Sequence, residues 1–129
     1  MLESPRGRPN LNLVPTFERW EAWKRSHELA LAVYQATSRF PKSELYGLTS
    51  QARRAAFSVA ANLAEGSAKR GPRELRRYLD IALGSLTELR YALLFCKDAG
   101  LMTPEQWQPL DELRRRAGFL LWRLYRSVR

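Results

Sequence analysis

Punctuation constrains this chain more than any other feature. Helix-breaking residues gather at Pro41, between Gly66 and Pro72, and between Gly100 and Pro104, and the apolar residues between them recur at helical spacing. No stretch alternates with the period of two that a half-buried strand requires. Four helices are therefore predicted. The first covers Phe17–Phe40, with Trp20, Trp23, His27, Ala30, Leu31 and Tyr34 on its buried face, and Pro41 ends it. The second covers Thr49–Glu65, with Thr49 as cap and Gly66 as stop. The third opens at Pro72 and stops at Gly100, burying Leu75, Leu79, Ala82, Leu86, Leu89 and Leu93. The fourth opens with Thr103, Pro104 and Glu105 and runs nearly to the end, burying Leu110, Leu113, Ala117, Leu120, Leu121, Leu124 and Val128. Short loops make consecutive helices antiparallel neighbours, so the fold class expected is all-α, an up-down-up-down four-helix bundle. A length of 129 residues suits one core. The bundle is assigned to 17–129. Met1–Thr16, which carries Pro5, Pro9 and Pro15 and no apolar signal-peptide core, reads as a disordered or loosely attached tail.

Two of these helices are too apolar for a lone bundle. In the second, Ala52, Ala55, Ala56, Val59, Ala60 and Leu63 fill one wide arc, while Phe57 and Ala64 lie outside it. Only Arg54, Ser58 and Glu65, with Asn62 at the edge, form a polar stripe. In the third, Ile81, Ser85, Glu88, Ala92 and Phe95 form a second face beside the leucines, and Gly84 and Ser85 are small enough to admit another helix. Apolar groups on two sides imply burial on two sides, so the chain is expected to pack against copies of itself. Alanine-rich composition alone, as helix propensity, does not account for Phe57. Glu88, placed among apolar neighbours, is expected to need a cation, with Arg54 the first candidate and Arg53 the second.

Charge supplies the functional signal. The chain carries 22 Lys and Arg against 13 Asp and Glu, a net charge of +9. That surplus favours a polyanionic partner, nucleic acid before an anionic membrane surface, although basic residues also serve simply to solvate helix faces. Arg115, Arg116, Phe119, Trp122, Arg123, Arg126 and Arg129 share the side of the fourth helix opposite its leucines, with no acid after Glu112. Arginines interleaved with aromatics suit phosphate contact plus base stacking, and suit the rim of a subunit interface equally. A second concentration, Lys69, Arg70, Arg73, Arg76 and Arg77, surrounds the start of the third helix, where free N–H groups favour an anion.

Little points to catalysis. His27 is the sole histidine and sits among Trp20, Trp23 and Tyr34, which reads as a satisfied core or semi-buried histidine. The one cysteine, Cys96, permits neither a disulfide framework nor a C-x-x-C metal motif and fits a reducing cytoplasm. There is no metal-ligand spacing, no glycine-rich phosphate loop, and no apolar run of the ~18 residues a membrane span needs. The sequence thus predicts no enzyme, no cofactor, no metal, no membrane partner and no small-molecule substrate.

Specific motifs carry a family resemblance. The run Phe40-Pro41-Lys42-Ser43-Glu44-Leu45-Tyr46-Gly47-Leu48-Thr49-Ser50-Gln51, then Arg53-Arg54-Ala55-Ala56, Ala61-Asn62-Leu63-Ala64-Glu65-Gly66 and Ile81-Ala82-Leu83-Gly84-Ser85-Leu86-Thr87-Glu88-Leu89, resembles the four helix bundle protein family. That family includes proteins encoded in intervening sequences of bacterial large-subunit ribosomal RNA genes. The chain is also similar to the accessory variability determinant of diversity-generating retroelements. The resemblance spans about Trp20 to Gly100, is weak over helix four and is absent from the N-terminal tail. It implies a homopentamer, five bundles around a basic central channel, and a retroelement relative that binds nucleic acid and a reverse transcriptase. Arg53, Arg54, Asn62, Glu65, Gly84, Ser85 and Glu88 match its motif positions and are expected, with Phe57 and Phe95, to serve the fold and subunit contact. The function expected is a pentameric basic scaffold for RNA or DNA. The alternative is a protein-interaction module that docks an acidic partner such as a reverse transcriptase or ribosome-associated factor.

Overall fold

A computed structural model describes residues 16–129, so all of the expected N-terminal tail except Thr16 lies outside the described residues. Those residues are all-helical, with four α-helices: α1 (Glu21–Thr37), α2 (Ser50–Ser67), α3 (Pro72–Asp98) and α4 (Pro104–Ser127). Around one contiguous core, α1 packs on α2 and α4, and α3 packs on the same two helices.

Local chemistry sets the boundaries. Thr103 Oγ1 accepts the Gln106 N–H at 3.1 Å, and the Gln106 side chain accepts the Thr103 N–H at 2.9 Å. This reciprocal cap, followed by Pro104, starts α4 and contributes about 1 kcal/mol. Gly100 at φ +82 ends α3, a left-handed conformation that a side chain would penalise. The first helix differs from expectation at both ends. Phe17–Arg19 forms a separate 3-10 turn and Trp20 is extended, which folds Phe17 against Trp23 with ring centroids 4.9 Å apart. At the other end Thr37 Oγ1 donates to the Val33 carbonyl at 2.8 Å, and Ser38 Oγ donates to the Tyr34 carbonyl at 2.9 Å. Such back-bonding competes with helix propagation, so α1 stops at Thr37, short of Phe40.

Two expectations about α2 are corrected. Thr49 does not cap the helix. It is buried and helical at the end of a widened turn, Leu45–Thr49, and Glu44 instead accepts the Leu48 N–H at 3.4 Å. Nor does Gly66 stop the helix, which continues to Ser67. Gly66 is buried where α2 meets α3, and a Cβ there would lie 2.9 Å from Tyr78 Cβ. The residue is glycine because the helices touch.

The face of α1 is also corrected. Ala22, Ser26, Leu29, Val33 and Thr37 point to the core, whereas Leu31 is 50% exposed and Tyr34 and His27 are exposed. His27 is not a core histidine. It stacks on Trp23 at 4.8 Å, with the rings 8° from parallel. Leu63, Val59, Leu79, Leu89, Leu93 and Leu121 complete the interior, each contributing about 1.5–3 kcal/mol by burial. Arg53 fastens the end of α1 to the start of α2. Its guanidinium donates to Thr37 Oγ1 at 2.8 Å, the Tyr34 carbonyl at 3.1 Å and Ser38 Oγ at 3.3 Å, and lies 4.0 Å over the Tyr34 ring.

Cys96 is fully buried, and burial pushes its thiol up to about 11. A thiol-specific reagent at about pH 8 is expected to leave the folded protein unmodified and to react at once in denaturant, because thiolate is then about one part in a thousand. Fast native labelling would show that the α3 core opens.

Candidate nucleic-acid interface

The two basic clusters of the sequence lie far apart along the chain, yet side-chain packing joins them. Arg76, near the start of α3, places its guanidinium 4.5 Å over the ring of Tyr125, near the end of α4. Farther along, Leu86 of α3 meets the backbone of α4 at Gly118. The start of α3 and the end of α4 therefore share one end of the bundle. Lys69, Arg70, Arg73 and Arg77 are exposed on the α3 side, and Arg123, Arg126 and Arg129 on the α4 side.

Aromatic rings support this surface. Lys69 and Arg77 approach the Tyr78 ring at 5.2 and 4.7 Å, Arg123 approaches Phe119 at 5.7 Å, and Trp122 stacks on Tyr125 at 5.7 Å. Phe119 and Trp122 stay 59% and 48% exposed, so each offers a free ring face. Tyr78 and Tyr125 were not singled out from the sequence. The spacing of Tyr125, three residues after Trp122 in an acid-free helix end, was the available signal.

Acids neutralise only part of the cluster. Arg77 pairs with Glu74 at 3.4 Å, and the neighbouring carboxylate, by hydrogen bond and charge, raises its already high pKa. Arg115 pairs with Glu112 at 3.3 Å and more loosely with Asp111 at 3.8 Å. These pairs are exposed at the guanidinium and hold little energy, so a phosphate can displace them. Arg116 lies toward α1, sharing a depression with Arg25, Glu28 and Glu112. The structure thus brings Lys69, Arg70, Arg73, Arg76 and Arg77 together with Arg123 and Arg126, and places Arg115 and Arg116 about 12–15 Å farther along α4, at 1.5 Å per residue.

The opposite side of the bundle is apolar. Between α1 and α2 runs an open groove of about 530 Å³, walled by Trp23, His27, Leu31 and Tyr34 on one side and Phe57, Ala60 and Ala64 on the other. Phe57 is 70% exposed on the outer edge of α2, and Ile81, Tyr91 and Phe95 are exposed along α3. Ser85 is half-buried and not a free contact. It shares a 2.8 Å hydrogen bond with Ser58, to which Asn62 also donates at 3.0 Å. Gly84 is open, and a side chain there would meet no neighbouring helix within 4 Å of its Cβ. The ion pair expected for Glu88 is absent among the described residues. Glu88 is exposed, shares a depression of about 260 Å³ with Arg54 and Phe57 without meeting Arg54, and Arg53 is held by α1 instead. Glu65 is exposed on the same side of α2.

Among the described residues no three of His, Cys, Asp and Glu converge as a metal site, and no helix is long and apolar enough to cross a membrane. The sequence model of the 23S rRNA-intervening sequence protein family matches residues 18–122. No curated protein matches the chain. Among solved structures it is similar to a protein of unknown function from the S23 ribosomal protein family of Bacteroides thetaiotaomicron. The two are 20% identical, with a TM-score of 0.72 over 81% of this chain and 97% of that one. That likeness is one of fold.

Proposed function

From the premise that this chain belongs to the 23S rRNA-intervening sequence protein family, we propose that it is a non-enzymatic, basic homo-oligomer, a pentamer in the cytoplasm, that binds RNA or DNA. Its bundle is antiparallel, up-down-up-down. The approaches of Arg53 to Tyr34, Gly66 to Tyr78 and Arg76 to Tyr125 support that course, since each joins the end of one helix to the start of another. One observation carries the binding reading: Arg76 on Tyr125 merges two basic clusters into a surface that also presents the open faces of Phe119 and Trp122. Guanidinium groups neutralise phosphates, and exposed rings accept unstacked bases. Repetition of that surface in each copy multiplies affinity. The single positive charge that each arginine supplies is generic, so the surface favours backbone contact over sequence readout.

The test is salt dependence. If five phosphates are neutralised, affinity for a duplex falls about 500-fold between roughly 50 and 200 mM salt. A flat response, with capture of an acidic protein that survives nuclease, would instead favour the partner-docking alternative, for which the exposed Phe119 and Trp122 also provide a surface.

A further inference from the structure

We infer that copies of this chain join head to tail, the outer stripe of α3 in one copy seated in the α1/α2 groove of the next, which turns α2 toward the axis of a ring and the arginine face of α4 to its outside. The inference rests on the homo-oligomer reading and specifies its contact.

Two surfaces of unlike shape carry it. The groove is concave and its walls are apolar. The stripe is the outer side of a single helix, bordered at Glu88 by a depression toward α2: Ile81, Glu88 and Phe95 are seven residues apart and so fall nearly in line, beside the open Gly84 that lets a second backbone approach. Charge complements shape. The groove lining includes Arg53 and His27 and no carboxylate, while the stripe carries Glu88, which has no ion pair among the described residues. Symmetric pairing satisfies neither surface. Groove against groove leaves a void between two concave faces, and stripe against stripe opposes two copies of Glu88.

A pairing between unlike surfaces repeats until it closes. In a bundle where α1 packs on α2 and α2 on α3, the α1/α2 and α2/α3 faces point about 90° apart. In a ring the directions to the two neighbours diverge by about 90° for four members and about 108° for five. Those neighbours then lie on either side of α2, whose exposed outer residues Arg54 and Glu65 line the opening. The helix diagonally across, α4, faces outward, so nucleic acid meets the arginines by wrapping the rim rather than by threading the centre.

Complementation tests this directly. Leu31→Glu spoils the groove and leaves the stripe, whereas Phe95→Glu spoils the stripe and leaves the groove. Both residues are about half exposed, so helicity by circular dichroism should be unchanged. By light scattering each variant alone should be monomeric, and an equal mixture should give one species of twice the 15.0 kDa chain mass, since one intact groove meets one intact stripe. Ala61→Arg and Gly84→Arg, at groove and stripe, provide the same test should either first variant fail to fold. A mixture that stays monomeric while the unaltered chain is oligomeric overturns the head-to-tail contact. An unaltered chain that is itself monomeric at micromolar concentration overturns the homo-oligomer reading beneath it.

Discussion

Changing Arg115, Arg123 and Arg126 together to glutamine should lower nucleic-acid affinity about 100-fold at roughly 0.1 M salt, and should reduce the slope of log affinity on log salt by about two to three. The magnitude follows from counterion release. Each phosphate contact with a single strand contributes a slope of about 0.7, so three contacts strengthen binding roughly a hundredfold as salt falls from about 1 M to about 0.1 M, and their removal forfeits that gain. Glutamine keeps most of the side-chain length and leaves Phe119 and Trp122 in place, so a loss reports charge and not the stacking platform. Folding should be unaffected, because these guanidinium groups are exposed, Arg115 pairs with the exposed Glu112, and the part-buried Asp111, 3.8 Å from Arg115, keeps its 2.7 Å pair with Arg114. Titration of a fluorescent RNA across a salt series reads both quantities. Unchanged binding would move the site to Lys69–Arg77, across the Arg76–Tyr125 contact.

Substituting Gly66 by valine should cost about 3 kcal/mol, the upper part of the range for overpacking, and lower the melting temperature by about 10 °C. A Cβ at this position meets Tyr78 Cβ at 2.9 Å and Leu75 Cδ1 at 3.2 Å. The first of these atoms is fixed to the α3 backbone, so relief requires the two helices to part. Helix propensity pulls the other way, since a valine in place of glycine gains a few tenths of a kcal/mol, and the steric term is the larger. Gly84→Ala provides the contrast. Its new methyl meets nothing in the single chain, so propensity alone should stabilise the isolated bundle by up to about 1 kcal/mol. Thermal melts of the two variants side by side distinguish a glycine that packs from one that is merely tolerated. Equal shifts in the same direction would show that α2 and α3 are less closely apposed than the 2.9 Å approach requires.

The sequence made the last two helices readable because their boundaries are local chemistry: a Thr-Pro-Glu-Gln cap and a positive-φ glycine act within a few residues. The face of α1 was not readable by apolar bulk. Its interior side is built from small residues, Ala22 and Ser26 beside Leu29 and Val33, while Trp23, Leu31 and Tyr34 line an open groove. Periodicity counts apolar residues and does not say which of two apolar faces is inward. Phe57 was legible as surplus because the core arc of α2 was already full. That Glu88 meets neither Arg54 nor Arg53 was not legible, because an ion pair depends on distances across two helices that spacing leaves open. The union of the basic clusters was equally hidden, since it depends on Arg76 and Tyr125, 49 positions apart, meeting in space.

The clasp that Arg53 makes on the end of α1 has a practical corollary. Three hydrogen bonds hold the two helices together on the far side of the connector, which is thereby relieved of setting their spacing. Within that connector Tyr46 is 93% exposed, between the anchored Phe40 and the buried Thr49. A fluorophore attached to the side chain at position 46 would sit on a stretch whose ends are pinned independently, and so can mark the molecule without bending it.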